Sequence, residues 1–263
     1  MEELKIAVVD TETTGMGDDD VLVEFGCVPI YTNRFSSDAG IKPYVDPTFG
    51  RSKIINPQKE IPIEAMAVHH ITNEMAAEAM LAQDAIGGCL LEIEALNPDY
   101  LVAHNISFDW KFLKDFFDPE IKKICTYKVA LAAYPDAPNH KNASIFYYLD
   151  LHKKPNGLNP EFFENNSLHR ALPDAIITAF IFREMLGIFS LDEMVQITNL
   201  PGLMPKCMFG KKHYGEPWAD IPKGYLDYIV EKVTDKPDVV YSAQREIIRR
   251  ARGDNHSSHP KGK

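Results

Sequence analysis

Apolar residues fill positions 6–9 and stop abruptly at Asp10. Such a run reads as a buried strand. Residues i and i+2 of a strand share a face, so Asp10 and Glu12 are expected to project side by side from its C-terminal end. After a polar turn at 16–20, residues 21–32 read as a second strand, interrupted by Glu24. The tight connection makes the pair antiparallel. Residues 36–62 carry many prolines and glycines and little periodicity, with 44–47 placed at the end of a third strand. The pattern then predicts a short helical stretch within 61–72 and a longer one over 76–96, interrupted at Gly87-Gly88. A buried strand follows at 100–103, an amphipathic helix at 108–117, a strand at 121–126 and a helix from 128 to 133. Within the polar stretch 135–166 a helix is expected over 143–151. Residues 173–186 are apolar on nearly every side, which marks a buried helix with Pro173 in its first turn, and 191–200 is one more amphipathic helix. Strands first, then strand and helix in alternation, fit a mixed α/β sheet with helices on both faces.

Composition narrows the class. With 263 residues and 45% hydrophobic content, the chain can bury one sizeable core plus a small appendage. No apolar run reaches the ~20 residues a membrane span needs. The acidic start does not resemble a secretory leader. Cys27, Cys89, Cys125 and Cys207 lack C-x-x-C spacing and read as inert thiols of a reducing, cytoplasmic environment. The net charge of −10 argues by itself against nucleic acid. Its distribution is uneven: residues 200–263 hold 12 Lys+Arg against 8 Asp+Glu, whereas 1–199 hold 16 against 30. An acidic body suits a metal-dependent site, and a basic end suits phosphate contacts. Ordinary surface variation explains the asymmetry equally well.

Two carboxylates as close as Asp10 and Glu12 repel unless a cation lies between them, and oxygen ligands of this kind suit Mg²⁺ or Mn²⁺. Candidate partners come from distant sequence. Asp109 follows a short buried strand in His104-Asn105-Ile106-Ser107-Phe108-Asp109. Asp174 opens the buried helix in His169-Arg170-Ala171-Leu172-Pro173-Asp174-Ala175. Taken singly, each acid fits a helix-start dipole partner or cap, and His169 fits either a surface histidine or a general base.

Together, Asp10-Thr11-Glu12-Thr13-Thr14-Gly15 and these two segments resemble, in order and spacing, the three motifs of the DEDDh 3′→5′ exonucleases. The likeness covers about residues 4–188. It implies a ribonuclease-H-like fold with a mixed five-stranded sheet, and two divalent cations, Mg²⁺ or Mn²⁺. It implies Asp10, Glu12, Asp109 and Asp174 as ligands and His169 as base. Residues 65–72 are similar to the family's segment beside the 3′-terminal nucleotide. On that likeness Thr13 and His69 are candidates to hold the terminal sugar or phosphate. Met16 and Phe108 are candidates to pack on its base, with Asn105 among the substrate contacts. Turn or core roles fit Met16 and Phe108 as well.

Residues 208–228 resemble the small "FGK…G…P…YL" module of exodeoxyribonuclease-X-type members. The implied organisation is a nuclease body at 1–188, a helix and linker at 189–204, a small basic α+β module at 205–252 and a disordered tail at 253–263. Lys211, Lys212 and Lys223 are candidate DNA contacts, while Trp218 and Tyr225 fit the module's own core better than a stacking surface. The implied activity is release of nucleoside 5′-monophosphates from DNA 3′ ends, single-stranded or duplex. An exoribonuclease or a polymerase proofreading subunit of the same family is the alternative.

Overall fold

A computed structural model describes residues 4–31, 45–94, 97–154, 157–158, 160–166 and 168–252. Its centre is a five-stranded sheet in the order β3-β2-β1-β4-β5. β1 (Lys5–Thr13) and β2 (Leu22–Tyr31) are antiparallel, with a bulge between Glu12 and Thr13. β3 (Arg51–Ile54) adds antiparallel to β2. β4 (Tyr100–Ala103) and β5 (Lys122–Cys125) run parallel to β1. The alternation of β1 splits the core in two. Ile6 and Val8 join a cluster beneath α5 (Thr126–Ala133), α6 (Asn142–Tyr148), α8 (Ala171–Met185) and α9 (Leu191–Asn199). Ala7 and Val9 face α3 (Ala82–Glu92) and α4 (Ile106–Leu113). The sheet is therefore covered on both faces, as parallel strands require.

The expected elements shift in several places. The third strand starts at Arg51, after a 3₁₀ turn at Pro47–Phe49 capped by Asp46, so Val45-Asp46-Pro47 is not its end; Tyr44 lies outside the described residues. The pattern over 76–96 resolves into α2 (Asn73–Ala77), capped by the Thr72 hydroxyl, and α3. The break falls at 78–81, where Met80 bridges to Ile55, and the helix runs through Gly87-Gly88 uninterrupted. α1 (Ile63–His69) falls within its expected stretch, whereas α7 (Pro160–Asn165) had no periodic signal.

Beyond α9, residues 204–247 supply their own apolar cluster around Cys207, Trp218, Leu226 and Ile229. α10 (Lys223–Lys232) and α11 (Pro237–Ala251) carry most of it. The β structure there among the described residues is one isolated bridge, Lys206 to Pro217. Trp218 is buried and Tyr225 packs against the cluster, so both serve the unit's interior. The tail at 253–263 lies outside the described residues.

Candidate active site

β4 pairs with β1 only over Ile6–Val8. From Asp10 onward β1 overhangs its parallel neighbour, and the start of α4 lies beside it. Thr11 donates its hydroxyl to Asp109 Oδ1 at 2.9 Å, tying that buried acid of α4 to the strand. On the other edge, Asp10 stands opposite Gly26 and Glu12 opposite Glu24. A Cβ on Gly26 would lie 2.4 Å from the Ala171 carbonyl carbon and 2.5 Å from Leu172 N. Bare backbone at Gly26 thus lets the first turn of α8 rest directly on β2. Asp174, one turn along, then converges on the strand: one oxygen each of Asp10, Glu12 and Asp174 lie within 4.8 Å of one another. Asp109 is held just outside that trio through Thr11.

His169 precedes α8 in the left-handed region, φ 60°. Its backbone N–H donates to Asp174 Oδ2 at 3.2 Å, and its side chain is exposed. This strained backbone bends the chain so that the imidazole and Asp174 belong to one corner.

The electrostatics are those of acids without enough counter-charge. Burial, then the charges of Asp109 and Asp174, push Asp10 well above the usual carboxylate range. Burial and Asp174 raise Glu12 to about 8, with Arg170 opposing. Burial raises Asp109 to about 7 against the pull of Thr11. Burial also raises Asp174, opposed by His169. Crowded oxygens that resist ionisation are the donor set a hard divalent cation relieves. The residues fit such an ion.

Of the other sequence-derived candidates, Thr13 is buried and spends its hydroxyl on Gly15 O at 2.6 Å. His69 is buried beside the Thr13 backbone. Its Nδ1 accepts from Ile71 N, and its Nε2 is buried. Met16 is 81% exposed on the β1–β2 turn, its carbonyl held by Lys111 Nζ. Asn105 is exposed and left-handed, φ 72°, and accepts from Ser107. Phe108 is half-buried, edge-on to Phe112. Lys211 and Lys212 are exposed in the C-terminal unit, and Lys223 pairs with Asp227. A cleft of about 670 Å³ opens beneath the β1–β2 turn, lined by Leu22, Ile55, Lys111 and Phe112 among others. None of the motif acids lines it.

Sequence reasoning missed Glu24 and His104. Glu24 is 1% exposed and accepts from Arg170 and from Ala171 N. Its signal was an acid inside an otherwise apolar strand. His104 lies between β4 and α4, its Nε2 2.9 Å from the His140 carbonyl and its Nδ1 3.0 Å from the Thr126 hydroxyl. The carbonyl takes a hydrogen from Nε2, and burial lowers the ring's pKa to about 4, which keeps it neutral and leaves Nδ1 to accept from the hydroxyl.

An acidic corner on an overhanging strand, with a histidine beside it and the five-stranded mixed sheet behind it, defines a 3′→5′ exonuclease, a hydrolase. The profile of the RNase T exonuclease family matches residues 7–182, and the chain belongs to that divalent-metal-dependent family. Exodeoxyribonuclease 10 of Escherichia coli (strain K12) is 28% identical over 232 residues, 85% of this chain and 90% of its own. DNA polymerase III subunit epsilon of Rickettsia conorii is 28% identical over 196 residues, 71% and 76% of the two chains. Among solved structures, exonuclease X in complex with 5′ overhanging duplex DNA superposes with a TM-score of 0.54 at 28% identity, covering 74% of this chain and 99% of that one. Cell-death related nuclease 4 shares the fold alone, with a TM-score of 0.53 at 12% identity over 92% and 97%.

Proposed function

We propose that the chain removes nucleoside 5′-monophosphates from DNA 3′ ends, with Asp10, Glu12, Asp109 and Asp174 holding two Mg²⁺ or Mn²⁺ ions. The observation that carries this is the convergence of Asp10, Glu12 and Asp174 within 4.8 Å, with Asp109 tied alongside. The DNA-processing relatives support the substrate class. Such ions, when bound, stabilise the attacking and leaving oxygens of an in-line phosphoryl displacement. Asp10 and Glu12 give a rigid base, because both stand on one strand. Asp109 and Asp174 close the cage from two helices. His169 takes the proton of the attacking water, whose oxygen bonds to phosphorus; the bond between phosphorus and the 3′ oxygen breaks, and that oxygen takes a proton from solvent. His69, with Thr13, Asn105, Phe108 and the exposed Met16, receives the terminal nucleotide. Residues 205–252 act as a separate unit, with Lys211, Lys212 and Lys223 touching the phosphate backbone. Their own apolar cluster supports that division.

The test is product analysis on matched single-stranded DNA, duplex DNA and RNA oligomers, with Mn²⁺ and with EDTA. Mononucleotide release from DNA that needs the ion and vanishes in Asp10→Ala is expected. Release that survives chelation refutes the proposal, and faster release from RNA moves it to an exoribonuclease.

A further inference from the structure

We propose that Glu24 and Arg170, which belong to none of the three motifs' acid and base positions, form a clamp that sets the register of α8 against β1. The inference rests on the metal-dependent site proposed above. The Arg170 guanidinium meets the Glu24 carboxylate in a fork, Nη2 to Oε1 at 2.7 Å and Nε to Oε2 at 2.9 Å. The same Oε2 accepts from Ala171 N at 2.9 Å. Glu24 therefore holds a free N–H of the helix start and the side chain just before it. A fork of this kind fixes orientation as well as distance.

What the clamp fixes is the functional corner. Arg170 lies between His169 and the first turn of α8. His169 donates its N–H to Asp174, and Asp174 must reach Asp10 and Glu12 from another element. Glu24 faces Glu12 across the strand pair, and Gly26, on the same face, receives the helix backbone. One side of β2 thus carries both the hook and the landing for α8. A second brace lies one turn on, where Asn142 Nδ2 donates to Asp174 O and to Thr178 Oγ1.

Glu24 is not a fifth ligand. Both its oxygens are occupied by Arg170 and Ala171, and it falls outside the converging trio. Its position is that of an outer group orienting those that touch the ion, a role whose loss typically costs 10–100-fold in metal affinity or activity.

Three variants test the clamp: Glu24→Gln, Arg170→Gln and Arg170→Lys. Mn²⁺ affinity is measured by calorimetry on the full chain without DNA, and kcat and KM on single-stranded DNA. Arg170→Gln is expected to weaken Mn²⁺ binding about tenfold or more and to lower kcat by about 10–100-fold. KM for DNA should stay within about twofold, and excess Mn²⁺ should recover part of kcat. Arg170→Lys keeps the charge but loses the fork, so it should recover folding and only part of kcat. If Glu24→Gln does not fold, Arg170→Lys carries the test. Folded variants with unaltered Mn²⁺ affinity and kcat overturn the clamp. So does a raised KM at constant kcat, which would make Arg170 a DNA contact. A wild-type protein that binds Mn²⁺ but spares DNA overturns the proposed activity alone.

Discussion

The buried acid of α11 and the acids of β1 have opposite electrostatic situations. Glu246 is nearly buried, yet Arg249 and Arg250 wrap its carboxylate at 2.6–2.8 Å and hold its pKa down. Arg250 goes on to bind the carbonyls of Trp218, Ala219 and Ile221, stitching α11 to the turn before α10. Among the described residues no arginine or lysine forms an ion pair with Asp10 or Glu12, and their pKa values rise although the Arg170 charge opposes this at Glu12. Glu24, which faces Glu12 across the strand pair, is answered by Arg170. The difference teaches how to tell a structural acid from a working one. Where the protein supplies the counter-charge, the acid builds the fold. Where it does not, the acid is free for the cation that the proposed function assigns to it.

That contrast can be broken most severely at the site. Asp10→Ala should reduce DNA hydrolysis to background with little loss of stability, since one of four repelling carboxylates is removed; a rate within tenfold of wild type in a steady-state assay would refute it. His169→Ala should lower kcat by about 10²–10⁴ while DNA binding persists. Equal losses of rate and of binding, read by fluorescence anisotropy in Ca²⁺, would remove the base role.

The ion's effect on stability sharpens the comparison. Glu12 and Asp109 have folded pKa values of about 8 and about 7, above their ordinary range. In the metal-free protein these groups favour folding at low pH, and that contribution is lost as pH rises from about 4, the ordinary carboxylate range, to 7–8. A cation replaces the protons, so it binds more tightly over the same window. Saturating Mn²⁺ at about 100 times its Kd should add about 2.7 kcal/mol at pH 8.5 and far less at pH 5.5. Thermal melts at the two pH values decide this; an equal shift at both would show that the acids do not hold the ion.

His104 has the opposite sign. Its folded pKa of about 4 lies below the ordinary 6.5. Its contribution is complete above pH 6.5 and is lost as pH falls toward 4, by up to about 3 kcal/mol. Denaturant melts should show that slope shrink in His104→Gln, and an unchanged slope would disprove it. The smallest effect is expected at Glu246→Gln: a loss of about 1–2 kcal/mol, moderated by the partial exposure of both arginines, with kcat unchanged. A fall in kcat there would erase the distinction between the two kinds of acid.

Much of this architecture is legible in sequence because it rests on periodicity. The apolar run into Asp10, the strand Tyr100–Ala103 and the all-round apolar helix around 173–186 depend on local pattern alone, and the structure has them with small shifts at the ends. The spacing of Asp10 and Glu12 also implies their common face. What sequence did not reveal depends on pairing at a distance. Glu24 reads as an interruption until Arg170, 146 residues away, is seen to answer it. The start of β3 is set by a capped 3₁₀ turn in a stretch without periodicity. The break before α3 is set by the Met80–Ile55 bridge and not by the two glycines. His104 sits within a motif, but the hydrogen on its Nε2 is placed by a carbonyl 36 residues on.

The meeting of Gly26 with the backbone of Ala171 and Leu172 makes this chain vulnerable to its smallest possible lesion. One added methyl group there would wedge the helix off the sheet and pull the corner apart without altering a single ionisable atom. In a sequence survey such a protein would keep every signature of a nuclease and still fail to cut. Inactivity in a relative with intact motifs should therefore be sought first in the silent floor beneath them.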